Sequence, residues 1–449
     1  MARLLVITDD RLGARMAGPA IRAFELARHL SARHDVTLAS LQPQAGELEA
    51  SVRIEAGVDP RALHALASRA DILLAGGYLY AQHPRLLCLG KFTVLDLYDP
   101  MLFEELASHG TSALDAYLYA EHHCYLDEQM RRADFMICAS ERQRDYWLGR
   151  LCAQGRLGPE LYARDPSAQR LLSVVPFGLP SEAPRPGPAR IRGVLPGIDE
   201  GARVFLWGGG IWEWFDPLTP IRAAAALQDA HPAIKLVFLA GKSPNPGTPA
   251  MPMAEAARAL ALELGALGRS VHFIEDWIPY QDRGALLLEA DAAFTAHRDH
   301  LETRFSFRTR VLDYLWAGLP ILTTAGDAMA DLVTLEGLGE AIAPGDVAGW
   351  TQALLRLGSD DALRTACAVR AKRASERFTW ERAILPLAGY CDAPYPGPRA
   401  IGLAPWRLLG PLPLITKGAL ALKEEGMAGL KARASRYLGK RSGRGAPRG

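Results

Sequence analysis

The chain has 449 residues, more than one ordinary core accommodates, so two domains are expected. Apolar residues make up 49% and charged residues 22%, the balance of a globular protein. A formal net charge of +1 excludes a nucleic-acid binder by bulk charge, and no apolar run is long enough for a helical membrane span. Charge is unevenly placed: from Ile401 to Gly449 ten Lys or Arg stand against two Glu, a surplus of eight. The preceding 400 residues therefore carry about −7 within the total of +1. A basic tail on a mildly acidic body points to an anionic surface. The six cysteines are widely spaced without metal-type pairing and read as reduced thiols in a cytoplasmic protein.

The opening residues MARLLVITDD run directly into a strand and two acids, unlike a signal peptide. Leu4–Ile7 reads as a buried parallel strand, followed by a loop with Gly13 and Gly18, a helix IRAFELARHLSARH and a strand Asp35–Ala39. That order is a βαβ unit. Strands are also expected over Ala70–Ala75, Phe92–Leu97, Ala133–Ala139 and Leu172–Pro176, which makes a doubly wound α/β domain. A Pro/Gly-rich stretch then leads to a second set of strands: Val204–Trp207, Lys235–Ala240, Val271–Ile274, Ala292–Ala296 and Pro320–Thr324. The expected boundaries are 1–180, a linker over 181–201, 202–379, a closing helix over 380–394 and a basic tail over 395–449.

Candidate site residues cluster at strand ends, which face the ligand crevice in open α/β sheets. The loop before the first helix, with Gly18 and then Arg22, can aim N–H groups and a cation at an anion, or it is a plain turn. GxGxxG is absent, so a nicotinamide site is not supported. Gly208, Gly209 and Gly210 permit close backbone approach after a strand, and Trp212 and Trp214 either stack on a ligand or pack an interface. Lys242 ends another strand and is placed to neutralise a diphosphate, or it is a solvated loop lysine. Asp96 and Asp99 in DLYDP can orient or deprotonate a hydroxyl, with helix capping by Asp99 as the alternative. Ser140 is a candidate helix cap. HRDHLE is a weak metal pattern, and no metal site is expected. In LETRFSFRTRVLDYLWAGLPILTT, Arg304, Arg308 and Arg310 supply phosphate-type forks ahead of a helix that carries Asp313, suited to ribose hydroxyls.

These segments resemble the retaining glycosyltransferases of family 4 (group 1), over about residues 3–392. The similarity lies in AGPAIRAFELARHLSARHDVTLA, VPFGLP, VHFIEDWIP and VLDYLWAGLPILTT. With DLYDP, WGGGIWEWFDPL and FSFRTRVLDYLWAGLP, it is strongest to a polysaccharide and lipopolysaccharide branch. The resemblance implies a GT-B fold, in which two Rossmann-like domains face each other across a cleft. It further implies a nucleotide-sugar donor on the second domain, an acceptor on the first, retention and no obligatory metal. The family's paired glutamates fall at Phe305 and Asp313: Asp313 keeps the ribose role, and Glu302 is the candidate substitute for the glutamate missing at Phe305.

The family's Arg and Lys after the first strand of the second domain are also replaced, by Gly209 and Gly210. Lys242, Arg308, Arg310 and backbone N–H groups must then hold the diphosphate. Arg308 is also a catalytic candidate, stabilising the leaving group, beside Asp99 and Glu302. Residues 415–441 read as a basic amphipathic helix able to lie on an anionic membrane at the inner face, or to pack on the body. The expected activity is transfer of a sugar to a lipid-linked glycan, with no nucleic-acid partner. The alternatives are a soluble acceptor and a non-catalytic protein that binds a glycan or a partner.

Overall fold

The computed structural model describes residues 1–44, 46, 48, 51–108, 110–241, 251–399, 419, 422–423 and 426–431. Two compact units divide the chain, Met1–Arg399 and Ala400–Gly449. In the second, residues 426–431 are helical, and Leu422 and Met427 are exposed. The remainder of the 415–441 segment lies outside the described residues.

Met1–Arg399 is built on two all-parallel sheets. The first comprises β1 (Arg3–Thr8), β2 (Asp35–Ser40), β3 (Arg53–Ala56), β4 (Ile72–Gly76), β5 (Phe92–Asp96), β6 (Phe135–Cys138) and β7 (Leu172–Val174), in spatial order β3-β2-β1-β4-β5-β6-β7. The second comprises β8 (Arg203–Trp207), β9 (Ile234–Leu239), β10 (Val271–Ile274), β11 (Ala292–Thr295), β12 (Ile321–Thr324) and β13 (Gly339–Ile342), in order β10-β9-β8-β11-β12-β13. Helices cover both faces, so central strands bury both sides and read as continuous apolar runs. That is why LLVI and VFLW announce β1 and β8. Two of the four edge strands, β3 and β13, carry RIEA and GEAI, are largely exposed and part-buried respectively, and so lack the pattern; neither was expected. The chain order reverses between β1 and β4 and between β8 and β11, and a crevice opens at the carboxyl ends of the strands beside each reversal.

The Pro/Gly-rich stretch 181–201 is docked rather than loose. Ile191 is fully buried, and the Glu289 carboxylate accepts the backbone N–H groups of Arg190, Ile191 and Arg192 at 2.8–3.1 Å. Proline and glycine there exclude regular elements without excluding order. After the second sheet, the helices Trp380–Ala383 and Leu385–Asp392 return to the first. Trp380 is buried against Phe177 and His29, where a Cβ on Gly178 would overlap the indole. Tyr390 stacks on Phe135 of β6 at 4.6 Å.

Candidate active site

A crevice of about 140 Å³ lies at the carboxyl ends of β8 and β9. The chain leaves β8 through Gly208–Gly210, and Gly209 holds φ +123°, which a side chain would resist. A Cβ on Gly208 would press on the Tyr314 ring at 2.9 Å. The Tyr314 hydroxyl anchors the loop: it accepts the Gly208 N–H at 2.8 Å and donates to the Phe294 carbonyl at 2.9 Å. Beneath lies Arg310. Its Nη2 donates to the Gly210 carbonyl at 2.9 Å, and its guanidinium sits over Phe215 and Trp207 at 4.2 and 4.8 Å. Its Nη1 is buried without a partner, and burial pulls its pKa down to about 10.

The opposite wall carries Tyr280, Arg283 and Asp313, the last on the helix Thr309–Ala317. Arg283 lies between the Tyr280 and Trp316 rings, 3.9 and 4.8 Å from their centroids, and donates from Nε to Asp313 at 3.2 Å. Tyr280 also ties the two sheets' units together. Its N–H donates to the Ala14 carbonyl and its hydroxyl to the buried Glu25, both at 2.9 Å. Met16 and Ile21, from the first unit, complete the cleft.

Arg308, 4% exposed, makes a different site. Its fork donates to both Glu302 oxygens at 2.8 Å, and its Nε donates to Asp327 at 3.3 Å. Burial works against the cation, but Glu302 and Asp327 outweigh it and raise its pKa. His297 Nε2 lies 3.0 Å from Asp327, and burial lowers the pKa of that histidine. Phe305 projects from the same short helix, Leu301–Phe305. It stacks on Phe103 at 5.3 Å and leans on Tyr146 at 5.1 Å, both from the first sheet's unit. Where the family resemblance implies a glutamate, this chain has an aromatic contact between its two halves.

A cavity of about 300 Å³ lies at the carboxyl ends of β1, β4 and β5. Arg22 donates from Nε and Nη2 to Asp96 at 2.5 and 3.0 Å, and from Nη2 to the Val175 carbonyl at 2.8 Å. Asp99, half-buried beside it, is pushed up to about 7 by burial and by the charges of Asp96 and Asp10, against the Tyr98 hydroxyl. Burial, then the charges of Asp99 and Glu302, holds Glu104 well above the carboxylate range.

The expected residues thus fall into three groups. Gly209, Gly210, Arg310 and Asp313 share the second crevice or its floor; Arg22 and Asp99 share the first, with Gly18 opening the helix beside it; Glu302 and Arg308 neutralise each other between them. Lys242 lies outside the described residues. Trp212 and Trp214 stack on each other at 5.8 Å and pack on the second sheet's core, away from the cleft lining. Ser140 caps its helix through the Gln143 N–H. His300 caps the helix that follows it, and among the described residues no group of three or more His, Cys, Asp or Glu is placed to hold a metal ion. Tyr280, Arg283 and Trp277 were not anticipated, although EDWIP at the end of β10 carried the same strand-end signal as the residues that were.

Two facing Rossmann-like domains with strand carboxyl ends toward a shared cleft define the GT-B fold. No family model matches the chain, and no curated protein matches it. Solved structures do. Sucrose-phosphate synthase from Thermosynechococcus elongatus aligns at a TM-score of 0.62 and 14% identity, over 87% of this chain and 98% of that one. Anabaena HepE in complex with UDP and glucose aligns at 0.61 and 13%, over 88% and 100%. WaaG, a glycosyltransferase involved in lipopolysaccharide biosynthesis, aligns at 0.58 and 17%, again over 88% and 100%.

Removing one member of a buried ion pair leaves a desolvated charge. Arg308→Ala is expected to lower the unfolding free energy by about 3–5 kcal/mol, read from urea or guanidinium denaturation. A loss under about 1 kcal/mol would show that Arg308 is free for a ligand.

Proposed function

We propose that the protein is a glycosyltransferase that moves a sugar from a nucleotide-sugar to a hydroxyl acceptor. The observation that carries this reading is the pair of built crevices at the two reversal points, one floored by a glycine loop over a cation and the other holding a carboxylate of raised pKa. The N–H groups of Gly209 and Gly210 and the Arg310 charge take the diphosphate; Asp313 takes the ribose hydroxyls, with Arg283 holding its carboxylate in place. Lys242 is a further candidate for the diphosphate. The bond from the sugar's anomeric carbon to the diphosphate breaks with its electron pair on the diphosphate, where positive charge stabilises it. The acceptor oxygen bonds that carbon, and its proton passes to Asp99, whose pKa near 7 suits a base at neutral pH.

The family 4 resemblance supports retention of configuration without an obligatory metal. With the named relationship of WaaG to lipopolysaccharide, it also supports a lipid-linked glycan acceptor in cell-surface polysaccharide synthesis. Glu302 is better read as the counter-ion of Arg308 than as a catalyst, and Arg308 as its partner rather than a diphosphate ligand. Arg22 belongs to the acceptor side. One observation favours a second reading, a non-catalytic glycan- or partner-binding protein: Phe305 stands at the position of the implied glutamate and is packed between the domains.

Among the described residues no helix is long and apolar enough to cross a membrane. The charge surplus of the tail supports peripheral contact with an anionic membrane at its cytoplasmic face.

A panel of nucleotide-sugars, assayed by calorimetry and by release of the nucleoside diphosphate, separates the readings. At least one donor should bind and be consumed; no binding and no turnover across the panel would leave only the non-catalytic reading. For the donor that binds, Asp313→Ala should weaken affinity at least tenfold, about 1.4 kcal/mol; unchanged affinity removes Asp313 from the ribose site.

As a base, Asp99 makes kcat/KM rise with pH through about 7, and Asp99→Asn should remove that limb with most of the activity. The folded pKa lies above the unfolded one, so ionising Asp99 costs stability as pH rises from 3.8 to about 7. Asp99→Asn should therefore gain Tm relative to the parent across that window, and an equal Tm difference at pH 4 and pH 8 would contradict the shift. The full chain should sediment with vesicles containing anionic lipid and lose this on deletion of 410–449; sedimentation without the tail would refute its role.

A further inference from the structure

The cavity beside β1, β4 and β5 is more selective than an acceptor role alone demands. Asp9, Asp10 and Asp99 line it, and among its described lining residues Arg22 is the one cation. That charge is already matched, because Asp96 accepts from Nε and Nη2. Yet Arg22 is only 1% exposed, its guanidinium lies over the Tyr98 and Phe177 rings at 4.8 and 5.5 Å, and its buried Nη1 has no hydrogen-bond partner among the described residues. An orphaned guanidinium N–H in a dry wall is costly unless a ligand atom accepts from it.

The helix Gly18–Leu30 also starts here, and a helix start usually attracts anions. Pro19, in its first turn and on the cavity lining, has no N–H to offer. The lining thus combines several carboxylate acceptors, the buried Arg22 donor, the neutral Gln82 amide, and apolar surface from Ile7, Leu26 and Leu74.

Resting on the transferase reading above, we infer that this crevice takes an uncharged, unphosphorylated sugar as the acceptor unit. Its hydroxyls both donate and accept. They donate to Asp10 and Asp99, and one hydroxyl oxygen accepts from Arg22 Nη1, while the apolar wall meets a ring face. An ionised phosphate or sugar carboxylate would mainly accept, and in this crevice it would face carboxylates of like charge, with Arg22, the one cation among the described lining residues, already paired to Asp96. A volume of about 300 Å³ has room for at least one sugar unit.

The test uses the full chain and saturation-transfer NMR titrations, with and without UDP. The probes are the methyl glycosides of glucose, galactose, mannose and N-acetylglucosamine, the 6-phosphates of the same sugars, and glucuronate. At least one neutral glycoside should bind, with the phosphates and glucuronate at least about tenfold weaker. The Asp9→Asn/Asp10→Asn double variant, checked for folding by circular dichroism, should narrow that ratio severalfold. Charged sugars binding as tightly as neutral ones, a ratio unmoved in the variant, or no neutral glycoside binding at all would each overturn the inference. Donor binding on the same sample keeps the two levels apart. A preference for sugar phosphates in a chain that consumes a nucleotide-sugar sinks only the acceptor assignment. Selective binding of neutral glycosides with no donor recognised sinks the transferase reading instead.

Discussion

One joint between the two sheets' halves depends on the ion pairing of Arg308 with Glu302 and Asp327. A guanidinium this deeply buried persists only when its charge and its fork are matched, and here both oxygens of one carboxylate and one of another match it. The pairing ties the short helix Leu301–Phe305 to the start of the helix Thr309–Ala317 and to Asp327 beyond β12. It holds the ring of Phe305 against Phe103 and Tyr146 across the domain boundary. It also commits the arginine that looked best suited to a diphosphate. Under the proposed function, anion binding is assigned to the glycine loop, with Arg310 lying under it.

The rest follows from two parallel sheets. Parallel strands place every crossover helix on a face and every strand's carboxyl end on one edge, so each sheet has one crevice where its order reverses. Tyr280 holds the cleft at its second-domain side while touching Ala14 and Glu25 of the first. Its neighbour Arg283 reaches Asp313. Asp313 and the interdomain contact therefore share adjacent side chains, so a ligand placed at Asp313, as proposed, is mechanically close to the joint between the domains.

Much of the fold was legible because buried parallel strands write themselves as short apolar runs: LLVI, VFLW and AAFT each sit where expected. The strands β3 and β13 were illegible because these two edge strands are incompletely covered and carry charged or small residues, whereas the edge strands β7 and β10 are covered and keep apolar runs. At the site, glycines after a strand and an acid in the next helix carried local signals. Long-range pairings did not. Arg22 looked like a phosphate ligand in its own loop, but its partner Asp96 stands 74 residues away. Arg308 carried no mark distinguishing a structural cation from a binding one; its partner Asp327 lies beyond the next strand. The resemblance marks Phe305 as a departure, and what that ring packs against is visible only from its neighbours in the first sheet's half.

The most direct measurement is a crystal structure of the chain soaked in turn with UDP, GDP and ADP. The expected result is diphosphate density against the backbone of Gly209 and Gly210 above Arg310, with ribose hydroxyls at Asp313. A nucleotide bound elsewhere, or a diphosphate seated on Arg308 with its pairs to Glu302 and Asp327 broken, would contradict the proposed division of roles.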